Sequence, residues 1–213
     1  MKNQFEIKVC GINDQLSMDT SINNNVNYIG LVFFNQSPRN LSIEKARSLI
    51  KNRTKTSKIV ALTVNPDDAF LFEIIKYIKP DYIQLHGEET PNRCDSIKKK
   101  FKTSIIKGIG IKDNMEINYF IKPYEEICDI LILDAPSEEL PGGNGKKFDW
   151  KILKDFKSQK KWMLAGGLNI KNISKAISIT KPPGIDISSG LEIKKGVKDP
   201  ELIKEFVAKC RNL

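Results

Sequence analysis

Short apolar runs alternate with longer amphipathic segments from one end of the chain to the other. Several of the short runs, residues 130–133 among them, are almost continuously apolar, which is typical of strands buried on both faces. This pattern predicts eight strands, at residues 5–10, 28–33, 58–63, 82–85, 104–109, 130–133, 162–164 and 184–187.

The segments between the strands carry apolar residues at helical spacing. Helices are predicted at residues 42–52, 67–79, 90–101, 172–179 and 200–211, and the weakest helical periodicity lies at 16–26 and 150–156. Local signals support these bounds, because Ser42 stands at an N-cap position, Pro91 at a first helical position and Pro80 just beyond a helix end.

The order of these elements indicates the fold class. Eight strands that are each followed by a helical segment indicate a parallel sheet, because parallel strands need crossover connections. Eight such units close into a barrel in which every strand edge is paired. The sequence therefore predicts an α/β protein, a single-domain (β/α)8 TIM barrel over residues 1–213. An open doubly wound sheet is the alternative, although no G-x-G-x-x-G motif follows the first strand.

The overall composition narrows the class of protein. Of the 213 residues, 40% are hydrophobic and 29% are charged, as in an ordinary soluble globular protein. No apolar run reaches the roughly 18–20 residues that span a bilayer, and the N-terminus carries no apolar signal segment. We therefore expect a cytoplasmic protein without a membrane partner.

The cysteines and lysines form no recognisable ligand-binding pattern. The four cysteines, at positions 10, 94, 128 and 210, include no C-x-x-C pair, and the chain has one histidine, so no metal site is expected. The net charge of +9 comes from lysines that are dispersed along the chain without interleaved aromatic residues. This dispersion favours a solvated cationic surface over a nucleic-acid site.

Glycine and serine follow the last two predicted strands. In TIM barrels the chemistry lies at the carboxyl ends of the strands, and the loops after strands 7 and 8 commonly bind a phosphate. Backbone N–H groups can approach an anion closely at such residues, so Gly166, Gly167, Ser189 and Gly190 are predicted to bind phosphate. Tight turns are the alternative explanation for either loop taken alone.

Short motifs in a fixed order carry a family resemblance. They are Lys-Val-Cys-Gly-Ile at 8–12, Gly-Leu-Val-Phe at 30–33 with Ser-Pro-Arg at 37–39, Gln-Leu-His-Gly at 84–87, Leu-Asp-Ala at 133–135, Gly-Gly-Asn-Gly at 142–145, Ala-Gly-Gly-Leu at 165–168 and Asp-Ile-Ser-Ser-Gly at 186–190. Together they span nearly the whole chain, which resembles the phosphoribosylanthranilate isomerases. Asn144 is a departure, since the family more often has threonine there.

The resemblance implies a fold, a reaction and a partner. The fold is a barrel of the ribulose-phosphate-binding type, and the reaction is the Amadori rearrangement of N-(5-phosphoribosyl)anthranilate to 1-(2-carboxyphenylamino)-1-deoxyribulose 5-phosphate in tryptophan biosynthesis. This reaction needs an acid for the furanose ring oxygen and a base for the C2 proton, but no metal and no cofactor. The implied partner is the small phosphoribosyl substrate, bound by a monomer or a homodimer.

The resemblance also assigns roles to the two catalytic candidates. Asp134 is the expected general acid, because desolvation at the end of an apolar strand favours the protonated form, although position alone also fits a helix cap. Cys10 is the expected general base, provided that a nearby positive charge draws its pKa down toward neutrality. Lys8, on the same face of the strand, is a candidate source of that charge. Two alternatives remain for Cys10: it is an inert buried cysteine, or it is a nucleophile partnered by His86.

The remaining candidates are expected to bind the substrate. Arg39 can hold the anthranilate carboxylate bidentately, while His86 and Asp186 stand where they could contact the substrate from the fourth and eighth strands. Gln84 lies inside the fourth strand and receives no role.

Two other functions compete with this hypothesis. Another phosphosugar isomerase of tryptophan or histidine biosynthesis would share the phosphate loops. The histidine-pathway isomerase, however, looks to use an aspartate at the end of the first strand, where this chain has Cys10. A non-catalytic barrel that binds nucleic acid through its +9 charge is the alternative from a different class. It would leave the ordered acid, base and phosphate loops without a purpose.

Overall fold

Eight parallel strands close into one barrel. The computed structural model describes residues 5–51, 53, 56–112, 116–136 and 149–213. The barrel strands are β1 (Glu6–Cys10), β2 (Tyr28–Phe33), β3 (Lys58–Thr63), β4 (Tyr82–Leu85), β5 (Ser104–Gly110), β6 (Ile130–Asp134), β7 (Lys161–Leu164) and β8 (Gly184–Ile187). Each strand pairs with its neighbour in sequence, and β1 pairs with β8. The predicted TIM barrel is confirmed.

Seven α-helices surround the barrel among the described residues. They are α1 (Gln15–Asn23), α2 (Ile43–Leu49), α3 (Asp68–Ile78), α4 (Pro91–Phe101), α5 (Ile117–Glu125), α6 (Ile173–Thr180) and α7 (Pro200–Arg211). Side-chain caps fix several starts, since Ser42, Asp67 and Thr90 each accept a hydrogen bond from the backbone three residues later. The weakly periodic segment 16–26 contains a true helix, whose N-cap is Asp14.

The core has two layers. Most buried apolar side chains lie between the strands and the helices, on the outer face of the barrel. A smaller cluster fills the barrel interior and contains Tyr28, Val60, Ile106, Ile130, Ile132, Met163 and Ala165. Because side chains alternate across each strand, the residues that follow this interior cluster along the strands point into the carboxyl-terminal mouth of the barrel.

One helix prediction is wrong. Residues 150–156 form only a single 3-10 turn, Trp150–Leu153. The apolar residues Trp150, Leu153 and Phe156 recur every third position, which matches the three residues per turn of a 3-10 helix. Trp150 and Leu153 are buried, and the ring of Phe156 packs edge-on against Trp162 at 5.3 Å.

A short hairpin separates β8 from the last helix. A 3-10 turn, Ser189–Leu191, leads into β9 (Glu192–Lys194), which pairs antiparallel with β10 (Val197–Lys198). This hairpin was not predicted. Asn13 Nδ2 donates to Gly196 O at 2.9 Å, so the hairpin is tied to the loop after β1, beside the mouth of the barrel.

Within the described ranges, no helix is long and apolar enough to cross a membrane. All four cysteines are free thiols in buried positions.

Candidate active site

Cys10 stands at the mouth of the barrel, at the end of β1. Its side chain lies in a small apolar patch formed with Val32 and Leu62, and Phe34 and Val64 cover the rim of this patch. Gly30 on the neighbouring strand makes the room, since a Cβ atom there would lie 2.8 Å from Cys10 Sγ. The thiol is therefore buried, with apolar side chains on one side and the Lys8 ammonium on the other.

A buried ion pair lies directly below Cys10. Lys8 Nζ is 2.9 Å from Asp186 Oδ1, and the Lys8 side chain has no exposed surface. The pairing of β1 with β8 places Lys8 opposite Asp186, so the register of the barrel builds this contact. Burial opposes the charge on Lys8, but Asp186 and Cys10 outweigh it and raise the pKa of the ammonium.

The Cys10 thiol is not an acidic one in this environment. Burial raises the pKa of Cys10 above its ordinary value, and Asp186 adds to that effect. Lys8 and Lys198 act in the opposite direction, so the predicted positive field is present but does not outweigh desolvation. The condition set from the sequence, a pKa drawn down by a positive field, is therefore not met in this environment, and Cys10 is a neutral thiol at pH 7.

Removing one partner of the Lys8–Asp186 pair should destabilise the fold strongly. Lys8→Met leaves a buried carboxylate without its counter-charge, so we expect a loss of about 3–5 kcal/mol in the free energy of unfolding, measured by urea titration. Lys58→Met is the control, because Lys58 is half exposed and 3.7 Å from Asp81, a surface pair worth about 1 kcal/mol or less. Equal losses for both variants would contradict a structural role for the buried pair.

Asp134 ends β6 at the same mouth, three strands away from Cys10. Its Oδ1 accepts a hydrogen bond from Ala135 N at 2.7 Å, and its Oδ2 lies 3.3 Å from His86 Nε2. Gly166 approaches it closely, because a Cβ there would be 3.2 Å from Asp134 Oδ1. Asp134 is thus a mostly buried carboxyl group held between β4 and the loop after β7.

Arg39 is held over the loop after β1 by a carboxylate from the hairpin. Its Nε and Nη2 bind Glu192 Oε1 and Oε2 at 2.7 and 2.9 Å, a bidentate pair that is almost fully buried. Burial alone would raise the pKa of Glu192, but Arg39 and Lys198 lower it to about 2. Glu192 is therefore a permanent carboxylate that fixes the orientation of the Arg39 guanidinium.

Lys198 is a site residue to which no role was assigned from the sequence. Its Nζ donates to Glu192 Oε1 at 2.6 Å and to Ser188 O at 3.0 Å, and the Ser188 hydroxyl in turn donates to Cys10 O at 3.0 Å. Lys198 is buried, which lowers its pKa, while Glu192 and Cys10 raise it. The only signal in the sequence was the Lys-Asp pair at 198–199 before the last helix.

The two predicted phosphate loops pack against one another. A Cβ on Gly190 would overlap Leu168 O, so the loop after β8 touches the loop after β7 at that glycine. Gly166 and Gly167 have φ angles of 88° and 60°, a conformation that other residues rarely adopt. Among the turn and loop hydrogen bonds of the described residues, the backbone N–H groups of Gly166 and Gly167 donate to no acceptor. These two donors, beside Ser189 and Gly190 in the neighbouring loop, can serve an anion.

The site therefore brings together most of the residues that the sequence singled out. Cys10, Asp134, His86, Arg39 and Asp186 lie at or just below the carboxyl-terminal mouth. His86 contacts Asp134 and Asp186 contacts Lys8, pairings that the sequence did not predict. The motif at 142–145 lies outside the described residues.

Comparison with known proteins supports a family assignment. The family profile of N-(5'-phosphoribosyl)anthranilate (PRA) isomerase matches residues 7–209. An N-(5'-phosphoribosyl)anthranilate isomerase from Chelativorans sp. (strain BNC1) is 37% identical over 211 residues, which cover 98% of this chain and 96% of that protein.

Solved structures with the same fold carry the same name. A phosphoribosyl anthranilate isomerase in complex with reduced 1-(o-carboxyphenylamino)-1-deoxyribulose 5-phosphate superimposes with a TM-score of 0.83 and 28% identity, covering 99% of this chain and 100% of that one. Monomers generated from the dimeric enzyme of Thermotoga maritima give a TM-score of 0.81 and 27% identity, with coverage of 99% and 100%. The chain has the fold, the ordered motifs and the sequence matches of the N-(5'-phosphoribosyl)anthranilate isomerase family, and it belongs to that family.

Proposed function

We propose that the chain catalyses the isomerisation of N-(5'-phosphoribosyl)anthranilate with Asp134 as general acid and Cys10 as general base. The observation that carries this proposal is the meeting of three features at one mouth of the barrel. A buried carboxyl group, a buried thiol and a pair of glycine-rich loops all lie there. An acid, a base and an anion site are what the rearrangement of a phosphorylated aminosugar needs.

The proton transfers follow from the placement of the two groups. Asp134 gives its proton to the furanose ring oxygen, the C1–O bond breaks, and a cationic Schiff base forms at C1. Cys10, as thiolate, then removes the C2 proton, and the electron pair of the C–H bond neutralises the Schiff base to an enolamine. The enolamine tautomerises to the ketone, which gains a proton at C1 and loses one from the C2 hydroxyl. No electrons enter or leave, so the reaction needs no redox cofactor.

The environment of Cys10 supports a base that ionises only during the reaction. Its raised pKa keeps the thiol neutral at pH 7. The Schiff base adds a positive charge next to the thiol, in a space where Lys8 and Lys198 already favour the thiolate. This positive field favours loss of the thiol proton to water, and the thiolate that remains then takes the proton from C2.

The ends of the substrate fit two separate regions. We place the phosphate at the loops that carry Gly166, Gly167, Ser189 and Gly190, and the anthranilate carboxylate at Arg39, whose guanidinium Glu192 orients. The anthranilate ring would then cover the apolar patch around Val32 and Leu62. Asp186 borders this space below Cys10, and His86 borders it beside Asp134, so both stay proposed substrate neighbours.

Gly190→Ala should weaken phosphate binding, because its Cβ would collide with backbone at Leu168 and push the two loops apart. We expect the Kd for inorganic phosphate, measured by calorimetry, to rise about tenfold or more, a change of about 1.4 kcal/mol. Gly184→Ala is the matched control at the other end of β8, where a Cβ would crowd Glu6 O at 2.9 Å. If the two variants raised Kd equally, the phosphate site would lie elsewhere.

Residues 1–213 are proposed to form one catalytic domain that acts in the cytoplasm as a monomer or a homodimer. The dimeric relative from Thermotoga maritima supports the homodimer, and a place in tryptophan biosynthesis supports the cytoplasm. The dispersed lysines support an enzyme with a small-molecule partner and no nucleic-acid partner.

Genetic complementation tests the proposed function. A bacterial strain that lacks its own phosphoribosylanthranilate isomerase should grow without tryptophan when it expresses this chain, and should fail to grow with the Cys10→Ala variant at the same protein level. Growth with neither form would contradict the proposed function. Growth with both forms would keep the activity and reject Cys10 as the base.

A further inference from the structure

Three polar side chains form a row across the inner face of the barrel, from β4 to β6. Gln84 Nε2 lies 3.1 Å from His86 Nδ1, and His86 Nε2 lies 3.3 Å from Asp134 Oδ2. Gln84 has no exposed surface, and the side chains of His86 and Asp134 are 7% and 12% exposed. The row runs from the barrel interior to the proposed general acid.

Gly108 on β5 makes the row possible. The imidazole crosses over this residue to reach β6, and a Cβ on Gly108 would overlap His86 Nδ1. No larger residue at 108 leaves the ring in this position. The contact between His86 and Asp134 is thus built into the strand that separates them.

The buried amide of Gln84 determines which ring nitrogen of His86 carries the proton. The amide nitrogen faces Nδ1, and Gln84 Oε1 has no hydrogen-bond partner among the described residues. Turning the amide over would bury an NH2 group without an acceptor, which costs more than an unpaired carbonyl. This difference favours an amide that donates to Nδ1, and a neutral ring that accepts at Nδ1 carries its proton on Nε2, facing Asp134.

We propose that Gln84 and His86 are positioning residues for Asp134: Gln84 fixes the neutral Nε2–H tautomer of His86, and that N–H holds the carboxyl group in place. This inference rests on the proposed role of Asp134 as general acid. A neutral donor suits that role, because an imidazolium would oppose the return of a proton to the carboxylate. The 3.3 Å contact is loose, and such contacts commonly tighten when substrate binds. In this role His86 donates a hydrogen bond and transfers no proton, beside its proposed place next to the substrate.

The chain has a single histidine, so nitrogen NMR of protein labelled with ¹⁵N-histidine reports on this ring alone. We expect the full-length wild-type protein at pH 7 to show a protonated Nε2 and an unprotonated Nδ1. A protonated Nδ1, or rapid averaging between the two tautomers, would overturn the proposal without any variant being needed. This readout does not depend on catalytic activity, so it stands or falls separately from the proposed function.

Variants at Gln84 test what fixes the tautomer. Gln84→Leu removes the donor to Nδ1 and should give a mixture of tautomers, whereas Gln84→Glu offers an acceptor and should draw a proton onto Nδ1. Gln84→Met is a second apolar replacement in case leucine impairs folding. Gln159→Leu, an exposed glutamine, is the control and should leave the wild-type signals unchanged. A wild-type tautomer pattern in folded Gln84→Leu or Gln84→Met would overturn the role of Gln84.

Kinetics of His86 variants test what the ring does for Asp134. His86→Ala should lower kcat about 10²-fold, the effect of a misplaced catalytic group, while KM changes little. His86→Gln supplies an uncharged N–H at a similar reach and should recover kcat to within about tenfold of wild type. A change in KM alone would identify His86 as a substrate-binding residue instead. An inactive His86→Gln beside an equally inactive His86→Ala would show that the charge or basicity of the imidazole is required, and would overturn the proposal.

Discussion

Replacing Cys10 with alanine is expected to lower kcat by about 10²–10⁴-fold, the usual contribution of a general base. KM should change little, because Cys10 adds only a small part of the apolar patch at the barrel mouth. The measurement is steady-state turnover of freshly prepared phosphoribosylanthranilate. Cys210→Ala is the matched control, since Cys210 is a free buried cysteine on α7 and should leave kcat unchanged.

The pH profile adds a second test of Cys10. Burial raises the pKa of its thiol, so only a small fraction is thiolate at pH 7. A base with a raised pKa gains reactive form as pH rises, whereas a general acid loses it, so the test uses the Asp134→Asn background, which carries no proton-donating acid at that position. The residual kcat/KM of Asp134→Asn should increase with pH through neutrality. The double variant Cys10→Ala/Asp134→Asn should lack this increase. If it kept both the rate and the pH dependence of Asp134→Asn, Cys10 would be one more buried cysteine and no base.

Asp134→Asn is expected to lower kcat by a similar factor, about 10²–10⁴-fold. Asparagine has the same shape and can still accept the hydrogen bond from Ala135 N, but it cannot give a proton to the ring oxygen. The loss should therefore appear in kcat, with the fold and the phosphate affinity preserved. Steady-state kinetics and phosphate calorimetry on the same preparation measure both.

Asp129→Asn is the control for Asp134→Asn. Asp129 precedes the other end of β6 and binds Lys98 and the backbone of Ile105, so its loss affects stability and leaves the mouth of the barrel intact. Its kcat should stay within a few-fold of wild type. A kcat for Asp134→Asn that matched Asp129→Asn would rule out Asp134 as the acid and move the role to another group near His86.

The fold could be predicted because its signals are local. Continuous apolar runs such as Ile130–Leu133 identify strands covered on both faces, and caps such as Asp67 and Thr90 define helix starts within one turn of chain. The helix prediction at 150–156 was wrong for a local reason. The three-residue spacing of its apolar residues fits a 3-10 turn and an α-helix almost equally well. The hairpin after β8 has strands of three and two residues, too short to leave a periodic signal.

The chemistry inside the barrel could be predicted only in part. The strand ends identified Cys10 and Asp134 as residues at one mouth, because the carboxyl ends of parallel strands meet there. The ion pairs around these two residues could not be predicted, because their members are far apart in the chain. Arg39 and Glu192 are 153 positions apart, and Lys8 and Asp186 are 178 apart. Gln84 received no role although it shares a face of β4 with His86, because the contact that gives this pair a purpose, between His86 and Asp134, depends on Gly108 in the intervening strand.

The balance between burial and charge at Cys10 also lay beyond the sequence. Lys8 was correctly placed on the same face as Cys10, since side chains two apart share a face of a strand. The extent to which the patch around Val32 and Leu62 excludes water depends on packing from several strands. Packing decided the sign of the pKa shift.

The most direct test of the account is whether the purified protein consumes phosphoribosylanthranilate catalytically. Freshly generated substrate is added to the protein in large molar excess. The loss of substrate fluorescence is then compared with the spontaneous decay in protein-free buffer. The account predicts that each protein molecule converts many substrate molecules to 1-(2-carboxyphenylamino)-1-deoxyribulose 5-phosphate, identified by mass spectrometry and chromatography. Decay at the spontaneous rate, from protein that is folded and binds phosphate, would contradict it.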